Sequence, residues 1–493
     1  MNVSKSKTNC RPARWSRVVP ALLGAGLALL PLFAQAIPAF NRQTGQNCLA
    51  CHAGGQYPEL TPYGRLFKMT GYTIGERALP ISAMAVASVS RVANTSKSDD
   101  PAAEFQKNNS LVLATASLLL GGKVTDNIGA FVQITYDPYA TQDANGGFHG
   151  HSNADNIDVR FADRFVGEKH DLIFGFSANN NPSVSDPWNT AAAWMQYVPV
   201  PSPTSSRFID GNAPYPGYGS GGNIAGLTAY AFWNQTVYAE LGGFSTAKGL
   251  FKIMRAGIAD ADSTALRGIN PYWRLAYNRQ WGAHSLMLGT SGMLAQVYAD
   301  PLDTSDPATT HHWRDVSVDA QYQYLLDPHA VTAQLVYQTS HHRYPAALAG
   351  QDVPFFDASG TNAVAQTNTS DTNHVLRAKA TYVYQAKYGG SLGLFNLSGS
   401  TNTANQTVGY DATGTLINAD GTVAVAGAGA NLSGNPGTRG MTLEAFWTPI
   451  QYLRLGAQYT AYDRYNGVSK NYDGFGRNAS DNNSLFVYAW VAY

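Results

Sequence analysis

Two-residue alternation of apolar and polar side chains recurs along this chain and constrains its fold more than any other feature. One segment alternates in this way from Val316 to Tyr324, and another from Val331 to Gln338. A period of two places neighbouring side chains on opposite faces of an extended strand. Sixteen such segments follow residue 80, and they begin near Ile81, Asn108, Ile128, Asn156, Lys169, Ile224, Gln235, Asn270, His284, Trp313, Ala330, Thr372, Ser391, Gly440, Tyr452 and Asn482.

Because one face of each segment suits lipid and the other an aqueous interior, the pattern predicts a transmembrane barrel. The fold class expected is all-β, with a 16-stranded outer-membrane β-barrel over 81–493. Short connections such as Gly167-Glu168 and Trp233-Asn234 alternate with eight longer loops. Short turns of such barrels face the periplasm, and an even strand number returns both termini to that side. We therefore expect periplasmic N- and C-termini.

A soluble β-sandwich or propeller would show the same alternation. A propeller is disfavoured because the chain has no 40–50-residue repeat. Aromatic residues near strand ends are typical of the interfacial girdles of membrane barrels. Five residues are assigned to such girdles: Tyr384, Trp447, Tyr462, Tyr488 and Trp490.

The first 36 residues have the features of a secretory signal peptide. Basic residues precede an apolar stretch from Val18 to Phe33, and Ala34-Gln35-Ala36 supplies small residues for cleavage. The alternative, an N-terminal membrane anchor, is disfavoured because the apolar stretch is short and contains prolines. Cleavage would remove five basic residues and no acidic ones, leaving 28 basic against 33 acidic residues. A mildly acidic exported chain argues against nucleic acid as a partner.

Cleavage would also remove Cys10, and the two remaining cysteines lie in the sequence Cys48-Leu49-Ala50-Cys51-His52. A C-x-x-C-H motif is typical of c-type haem attachment, in which two thiols bind one porphyrin and the His ligates the iron. A bare C-x-x-C also occurs in redox dithiols and zinc sites. The adjacent His52 and the lack of a second C-x-x-C favour one covalent haem c held by Cys48, Cys51 and His52.

The predicted haem segment, residues 37–80, is too short to bury a porphyrin in a core of its own. We expect the barrel lumen to complete its surroundings. Met69 is a candidate for the distal iron ligand, since thioether ligation occurs in cytochromes c. The alternative is ordinary packing of Met69 with Leu66 and Phe67, and the sequence leaves both open.

The predicted loop Ala178–Gly222 is unusually long and carries Trp188, Trp194 and Tyr197. Such loops are usually functional or disordered, and this one either folds into the barrel against the haem segment or forms an exposed lid. The outer loops also carry paired histidines, which suit iron as ligands or serve simply as polar loop residues. The pairs are His149/His151, His311/His312 and His341/His342.

A specific pattern surrounds the haem motif over about 35 residues. It comprises Phe40, Arg42-Gln43-Thr44-Gly45, Cys48, Cys51-His52, Pro58, Leu60, Gly64-Arg65, Phe67-Lys68 and Gly71-Tyr72. This pattern resembles the fused monohaem cytochrome c–porins of the outer membrane, whose best-known members are iron(II) oxidases. The stretches Asn179–Pro182 and Asp186–Asn189 are also similar to a segment of that family.

The resemblance implies haem attachment at Cys48 and Cys51, with His52 as the proximal ligand. It also implies an iron(II):cytochrome c oxidoreductase that takes electrons from extracellular Fe²⁺ and passes them to a periplasmic electron-carrier cytochrome. Two alternatives stay open: a haem conduit for another donor or acceptor, and a porin whose haem is a sensor or plug. A sealed lumen would distinguish a conduit from a porin.

Overall fold

The structure is a computed structural model that describes residues 39–55, 59–94, 109–142, 148–180, 182–190, 223–255, 257, 265–344, 352–365, 368–403, 406–418, 421–424 and 430–492. The predicted signal peptide lies outside the described residues, as do Pro58, Trp194, Tyr197 and Tyr493. Within the described part of the chain, no helix is long and apolar enough to cross a membrane.

The described chain contains twenty β-strands. In chain order they are β1 Ile81–Val92, β2 Leu111–Lys123, β3 Ile128–Gln142, β4 Phe148–Val166, β5 Asp171–Asn179, β6 Ile224–Trp233, β7 Val237–Thr246, β8 Asn270–Trp281, β9 His284–Tyr298, β10 Thr310–Leu326, β11 His329–Arg343, β12 Asp352–Phe356, β13 Ala363–Ala365, β14 Ser370–Tyr384, β15 Tyr388–Gly399, β16 Val408–Tyr410, β17 Leu416–Asn418, β18 Thr438–Ile450, β19 Leu453–Arg464 and β20 Ser484–Ala492.

Sixteen of these strands form one closed antiparallel barrel, which confirms the predicted strand number and fold class. Each barrel strand pairs with its neighbour in the chain, and β1 closes the barrel against β20 with Met84 opposite Ala492. The other four strands, β12, β13, β16 and β17, form a small sheet within two of the long loops.

The alternation in the sequence separates the two faces of the barrel wall. In β10, Ser317, Gln321 and Gln323 are buried toward the lumen, whereas Val318 is 53% exposed on the outer face. Other large apolar side chains exposed around the barrel are Leu241, Leu275, Leu288, Leu335, Leu376, Leu392 and Leu443. A closed barrel with an apolar outer face suits hydrocarbon, so the chain is an outer-membrane protein.

The aromatic girdle prediction is only partly right. Tyr384 and Trp447 lie on the outer face, 38% and 46% exposed. The assignment is wrong for three residues that are buried on the lumen face: Tyr462, Tyr488 and Trp490. Closeness to a strand end does not decide which face a side chain occupies. Successive side chains point to opposite faces, so the face depends on whether the residue is at an odd or an even position of the strand.

Connection length distinguishes the two ends of the barrel. Seven turns of two to four residues lie at one end, including 282–283 between β8 and β9 and 451–452 between β18 and β19. The long loops lie at the other end. The first residues of β1 and the last residues of β20 pair at the short-turn end, so the barrel begins and ends on the predicted periplasmic side.

The described residues form four short α-helices beside the barrel strands: α1 Ala39–Thr44, α2 Cys48–Cys51, α3 Pro62–Met69 and α4 Pro182–Ser185. Helix α3 begins where the Thr61 hydroxyl accepts a hydrogen bond from the Gly64 amide at 3.1 Å, and Pro62 supplies a fixed φ at its first position. The helix ends before Gly71, whose φ of +71° favours glycine at this position.

Residues 39–55 and 59–80, here called the plug, lie inside the barrel. Phe40 packs against Phe131 of β3 with ring centroids 6.2 Å apart. The Tyr72 hydroxyl donates to the Asp158 carboxylate of β4 at 2.6 Å. Arg65 reaches β10 on another side of the lumen, where it donates to Gln323 at 2.8 Å. These contacts with separate wall strands fix the plug within the lumen.

Candidate functional site

The two thiols and the imidazole of the sequence motif lie on one tight turn of the plug. Asn47 caps helix α2 by accepting a hydrogen bond from the Ala50 amide at 3.2 Å, and the His52 amide donates to the Cys48 carbonyl at 2.8 Å. Residues three apart on a helix share one side, so Cys48 and Cys51 are neighbours. Both cysteines are free thiols and half-buried, as one porphyrin attached at both positions requires.

Helix α3 packs directly on this turn. The Thr61 amide donates to the Cys51 carbonyl at 2.9 Å, and the Thr61 hydroxyl donates to the Ala50 carbonyl. At Gly64, a Cβ atom would lie 2.2 Å from the Cys51 carbonyl oxygen. Only glycine permits this approach of the two backbones. The sequence pattern contains Gly64, but its role is visible only in the folded chain.

The motif lies at the short-turn end of the barrel. The side-chain amide of Gln451, in the turn between β18 and β19, donates to the Cys48 sulfur at 3.0 Å. Gly54 approaches Val383 near the end of β14 so closely that a Cβ would lie 2.5 Å from its side chain. The predicted haem site is therefore at the periplasmic mouth. Nothing in the sequence pointed to Gln451, which is 403 positions from Cys48.

Burial keeps these groups uncharged near neutral pH. Burial lowers the pKa of His52 to about 4, and burial together with nearby Cys48 raises the pKa of Cys51 to about 11. A neutral imidazole is the form that binds iron. Among the described residues, no three His, Cys, Asp or Glu side chains are arranged to hold a metal ion. The donor set of two thiols and one adjacent imidazole fits a porphyrin.

Arg65 anchors α3 to the barrel wall. Its guanidinium donates to the Leu60 carbonyl at 2.7 Å, to Gln323 at 2.8 Å and to Ser285 of β9 at 2.8 Å. Burial lowers the pKa of Arg65 to about 9, and Asp186 partly offsets this effect. A buried guanidinium with these acceptors holds the helix that supports the haem motif at a fixed position.

A buried ion pair holds the other side of the plug. The Lys379 ammonium of β14 lies 3.0 Å from the Glu59 carboxylate, and both side chains are less than 10% exposed. Since Glu59 follows the haem motif closely in the chain, this pair fixes the segment between α2 and α3 against the wall.

Residues 182–190, here called the inward loop, fold into the lumen and meet the plug. The Lys68 ammonium donates to the Asp186 carbonyl at 2.9 Å, and Trp188 is only 1% exposed. Of the two arrangements that the sequence left open for the long loop, the described part adopts the inward one. Burial lowers the pKa of Lys68 to about 8, so its ammonium is still mainly charged at neutral pH.

An ion-pair network locks the inward loop in place. The Arg274 guanidinium of β8 contacts Asp186 at 3.1 Å and Asp319 of β10 at 2.5 Å, and all three side chains are fully buried. The Thr190 amide donates to the Asp186 carboxylate at 2.8 Å. The loop and the plug therefore meet across the β4–β10 side of the lumen.

Met69 is buried in an apolar cluster at the end of α3, and only 2% of the residue is exposed. The cluster consists of Met69, Leu66, Ile173, Trp188, Tyr230, Phe232, Tyr238, Ala276 and Met287. The Tyr230 hydroxyl donates to the Met69 carbonyl at 2.8 Å. This environment matches the packing alternative for Met69, and its assignment as a distal ligand stays a prediction.

Comparison with known proteins gives no family for this chain. No protein-family model and no curated protein match the chain. Solved structures that resemble it include outer-membrane proteins. The Salmonella typhi OmpF complex with daunomycin is 11% identical, with a TM-score of 0.42, and the match covers 84% of this chain and 97% of that one.

Two further channels show the same level of similarity. The anion-selective porin from Comamonas acidovorans is 10% identical with a TM-score of 0.42, over 84% of this chain and 98% of that one. The channel DcaP of Acinetobacter baumannii is 10% identical with a TM-score of 0.40, over 84% and 96%. At such values the likeness carries no argument about function, and the barrel is established by its own strand register.

The adjacent histidine pairs do not form joint sites. His311 and His312 are consecutive in β10, and His341 and His342 are consecutive in β11, so each pair points to opposite faces of the wall. His342 stacks on Trp313 of β10 with ring centroids 4.1 Å apart. At the long-loop end of the barrel, His311 of β10 and His342 of β11 thus lie near each other on the lumen face. The sequence does not indicate this cross-strand pair.

Proposed function

We propose that this chain moves electrons across the outer membrane through one haem c attached at Cys48 and Cys51. The observation that carries the proposal is the turn Cys48–His52, which α3 supports and Gln451 contacts at the periplasmic mouth of the barrel. Bound there, haem c supplies one-electron redox chemistry. Extracellular Fe²⁺ loses one electron to become Fe³⁺, and a periplasmic electron-carrier cytochrome receives that electron.

The residues around the motif have separate roles in this proposal. Cys48 and Cys51 would hold the porphyrin through thioethers, and His52 would provide an imidazole to the iron. Arg65 and the Glu59–Lys379 pair hold the plug at the wall, which keeps the attachment turn at the periplasmic end. Leu49, between the thiols, is 46% exposed. An exposed residue between the two attachment points allows a periplasmic carrier to approach closely.

Oxidation of Fe²⁺ outside the cell has a physical advantage. Oxidised iron precipitates at neutral pH, so its formation outside the cell avoids a solid product in the periplasm. The hydrocarbon band that separates the two sides is roughly 25 Å tall. A redox group at the periplasmic mouth serves the inner end of this path, and the iron ion itself would not need to enter the cell.

The test is anaerobic stopped-flow mixing of the purified full-length protein with Fe²⁺ while the haem absorbance is followed. We expect reduction of the haem, followed by reoxidation when a soluble periplasmic-type cytochrome c is added. Cys48→Ala is the matched control, because it removes one attachment thiol and leaves the barrel intact. A haem-loaded wild-type protein that Fe²⁺ does not reduce would contradict iron oxidation and favour another donor or acceptor.

A porin with a haem-bearing plug is the second candidate function, and the barrel architecture is compatible with it. The described plug and inward loop meet within the lumen through Lys68 and Asp186, which argues for a narrow or closed passage. Single-channel conductance in planar bilayers distinguishes the two functions. A conduit should show no steady ion current, whereas a porin should conduct without deletion of the inward loop.

A further inference from the structure

The lumen wall carries an apolar patch where a water-filled barrel would carry polar residues. Met84 and Val86 of β1 contribute to it, and the remaining members come from β2 and β20. The patch consists of Met84, Val86, Ala114, Phe486, Tyr488, Trp490 and Ala492. Phe486 and Tyr488 stack with ring centroids 5.7 Å apart. Their alternation with lipid-facing Val487 and Val491 shows that this patch faces inward.

The patch lies in the same sector of the barrel as the attachment thiols. Met84 pairs with Ala492 in the β1–β20 register. The Ala492 amide donates to the Tyr452 carbonyl at 3.0 Å, and the preceding residue, Gln451, donates to the Cys48 sulfur at 3.0 Å. Met84 is thus two strands from the turn that touches Cys48, at the same end of the barrel.

Met69 lies in a different sector. Its cluster draws on β5, β6, β7, β8 and β9, whereas Gly54 approaches Val383 of β14 and Cys48 contacts the turn that follows β18. These two sets of strands are on opposite walls of the 16-stranded barrel. Helix α3 separates Met69 from the haem motif by its whole length of eight residues, which is about 12 Å at 1.5 Å per residue.

The other methionines within the described residues are also poorly placed. Met287 belongs to the cluster around Met69, and Met293 is fully buried in a cluster with Phe244 and Tyr272. Met254 packs with Ala225 and Ala247 at the long-loop side, and Met441 is 38% exposed on the lipid face. Met84 alone among them combines a lumen-facing position with proximity to the attachment turn.

We propose that the Met84 thioether, at the partly exposed edge of this patch, is the distal iron ligand. This inference rests on the proposed covalent haem. His52 would bind the iron from the plug and Met84 from the barrel wall, so plug and barrel together complete the coordination. A His/Met pair raises the midpoint potential of a haem, which suits an acceptor of electrons from an external donor.

The experiment compares Met84→Leu, Met69→Leu and Met441→Leu in the full-length protein purified from outer membranes. Leucine keeps the volume of methionine and removes the sulfur, and such exchanges usually cost less than about 1.5 kcal/mol. Three readouts are recorded: haem staining after denaturation, the weak red-end charge-transfer band of the ferric protein, and the midpoint potential. Heat-modifiable gel migration verifies that each barrel has folded.

We expect Met84→Leu to retain stained haem, to lose the red-end band and to show a lowered midpoint potential. Met69→Leu and Met441→Leu should resemble wild type in all three readouts. Met84→His should restore a low-spin spectrum with two nitrogen ligands, which a merely structural role of Met84 would not produce.

The outcomes separate this inference from the proposed function. Absence of stained haem in wild type would overturn the covalent haem and, with it, the role of Met84. Stained haem with an unchanged band in Met84→Leu would overturn the ligand assignment alone. Loss of the band in Met69→Leu instead would place the sulfur ligand on α3, and a wild-type protein without the band would exclude methionine ligation.

Discussion

The ion pairs of the inward loop offer the sharpest test of how this loop is held in the lumen. In Arg274→Ala, Asp186 and Asp319 lose the cation that both contact, and both carboxylates are fully buried. Removal of one partner from a buried ion pair costs about 3–5 kcal/mol. We expect the lower end, because Asp186 keeps the hydrogen bond from the Thr190 amide at 2.8 Å. Each 1.4 kcal/mol is a factor of ten, so opening of the loop should become about a hundredfold more frequent.

The assay uses a cysteine at Ser185, which is fully buried in α4 and close in size to cysteine. A membrane-impermeant maleimide added to intact cells should label Ser185→Cys at a rate proportional to the open population of the loop. The matched control is Arg439→Ala, whose partner Asp463 lies 2.7 Å away with both side chains more than half exposed. Exposed pairs contribute about 0–1 kcal/mol, and this pair does not contact the loop. Equal labelling rates in the two variants would refute the proposed lock.

Four further outcomes are expected. Cys48→Ala should abolish haem staining of the denatured protein, and elemental analysis showing zinc without iron would contradict haem attachment. Gly64→Ala should lower the yield of haem-loaded protein severalfold, because its Cβ would lie 2.2 Å from the Cys51 carbonyl oxygen and overpacking costs about 1–3 kcal/mol; equal haem-to-protein ratios would contradict this. A protease site inserted at 411–415, between β16 and β17, should be cut on intact cells, whereas one at 167–168 should be protected, and the reverse would overturn the topology. His342→Gln should slow Fe²⁺-driven haem reduction at neutral pH relative to a matched change at lipid-side His341, and equal rates would exclude metal capture by the lumenal histidines.

Local periodicity was enough to predict the barrel. Each predicted strand overlaps one of the sixteen barrel strands, because the two-residue period and the lipid surface together dictate which side chains face outward. The haem prediction, which stays a prediction, also depends on local sequence, since it rests on two thiols and an imidazole within five residues. The length and aromatic content of the long loop indicated that it packs somewhere. These features depend on neighbours in the sequence.

Only the tertiary structure decided what lies beside the haem motif. The contact between Cys48 and Gln451 joins residues 403 positions apart, and the position of Met84 in the same sector follows from closure of β1 against β20. The sequence offered Met69 as a candidate ligand and left its packing role open, and α3 carries that residue to the opposite wall. A closed barrel brings the first and last strands together. A local sequence pattern does not predict which wall of the barrel the plug will contact. The sequence determined the barrel wall and predicted the attachment of haem, whereas long-range closure determined the surroundings of the site.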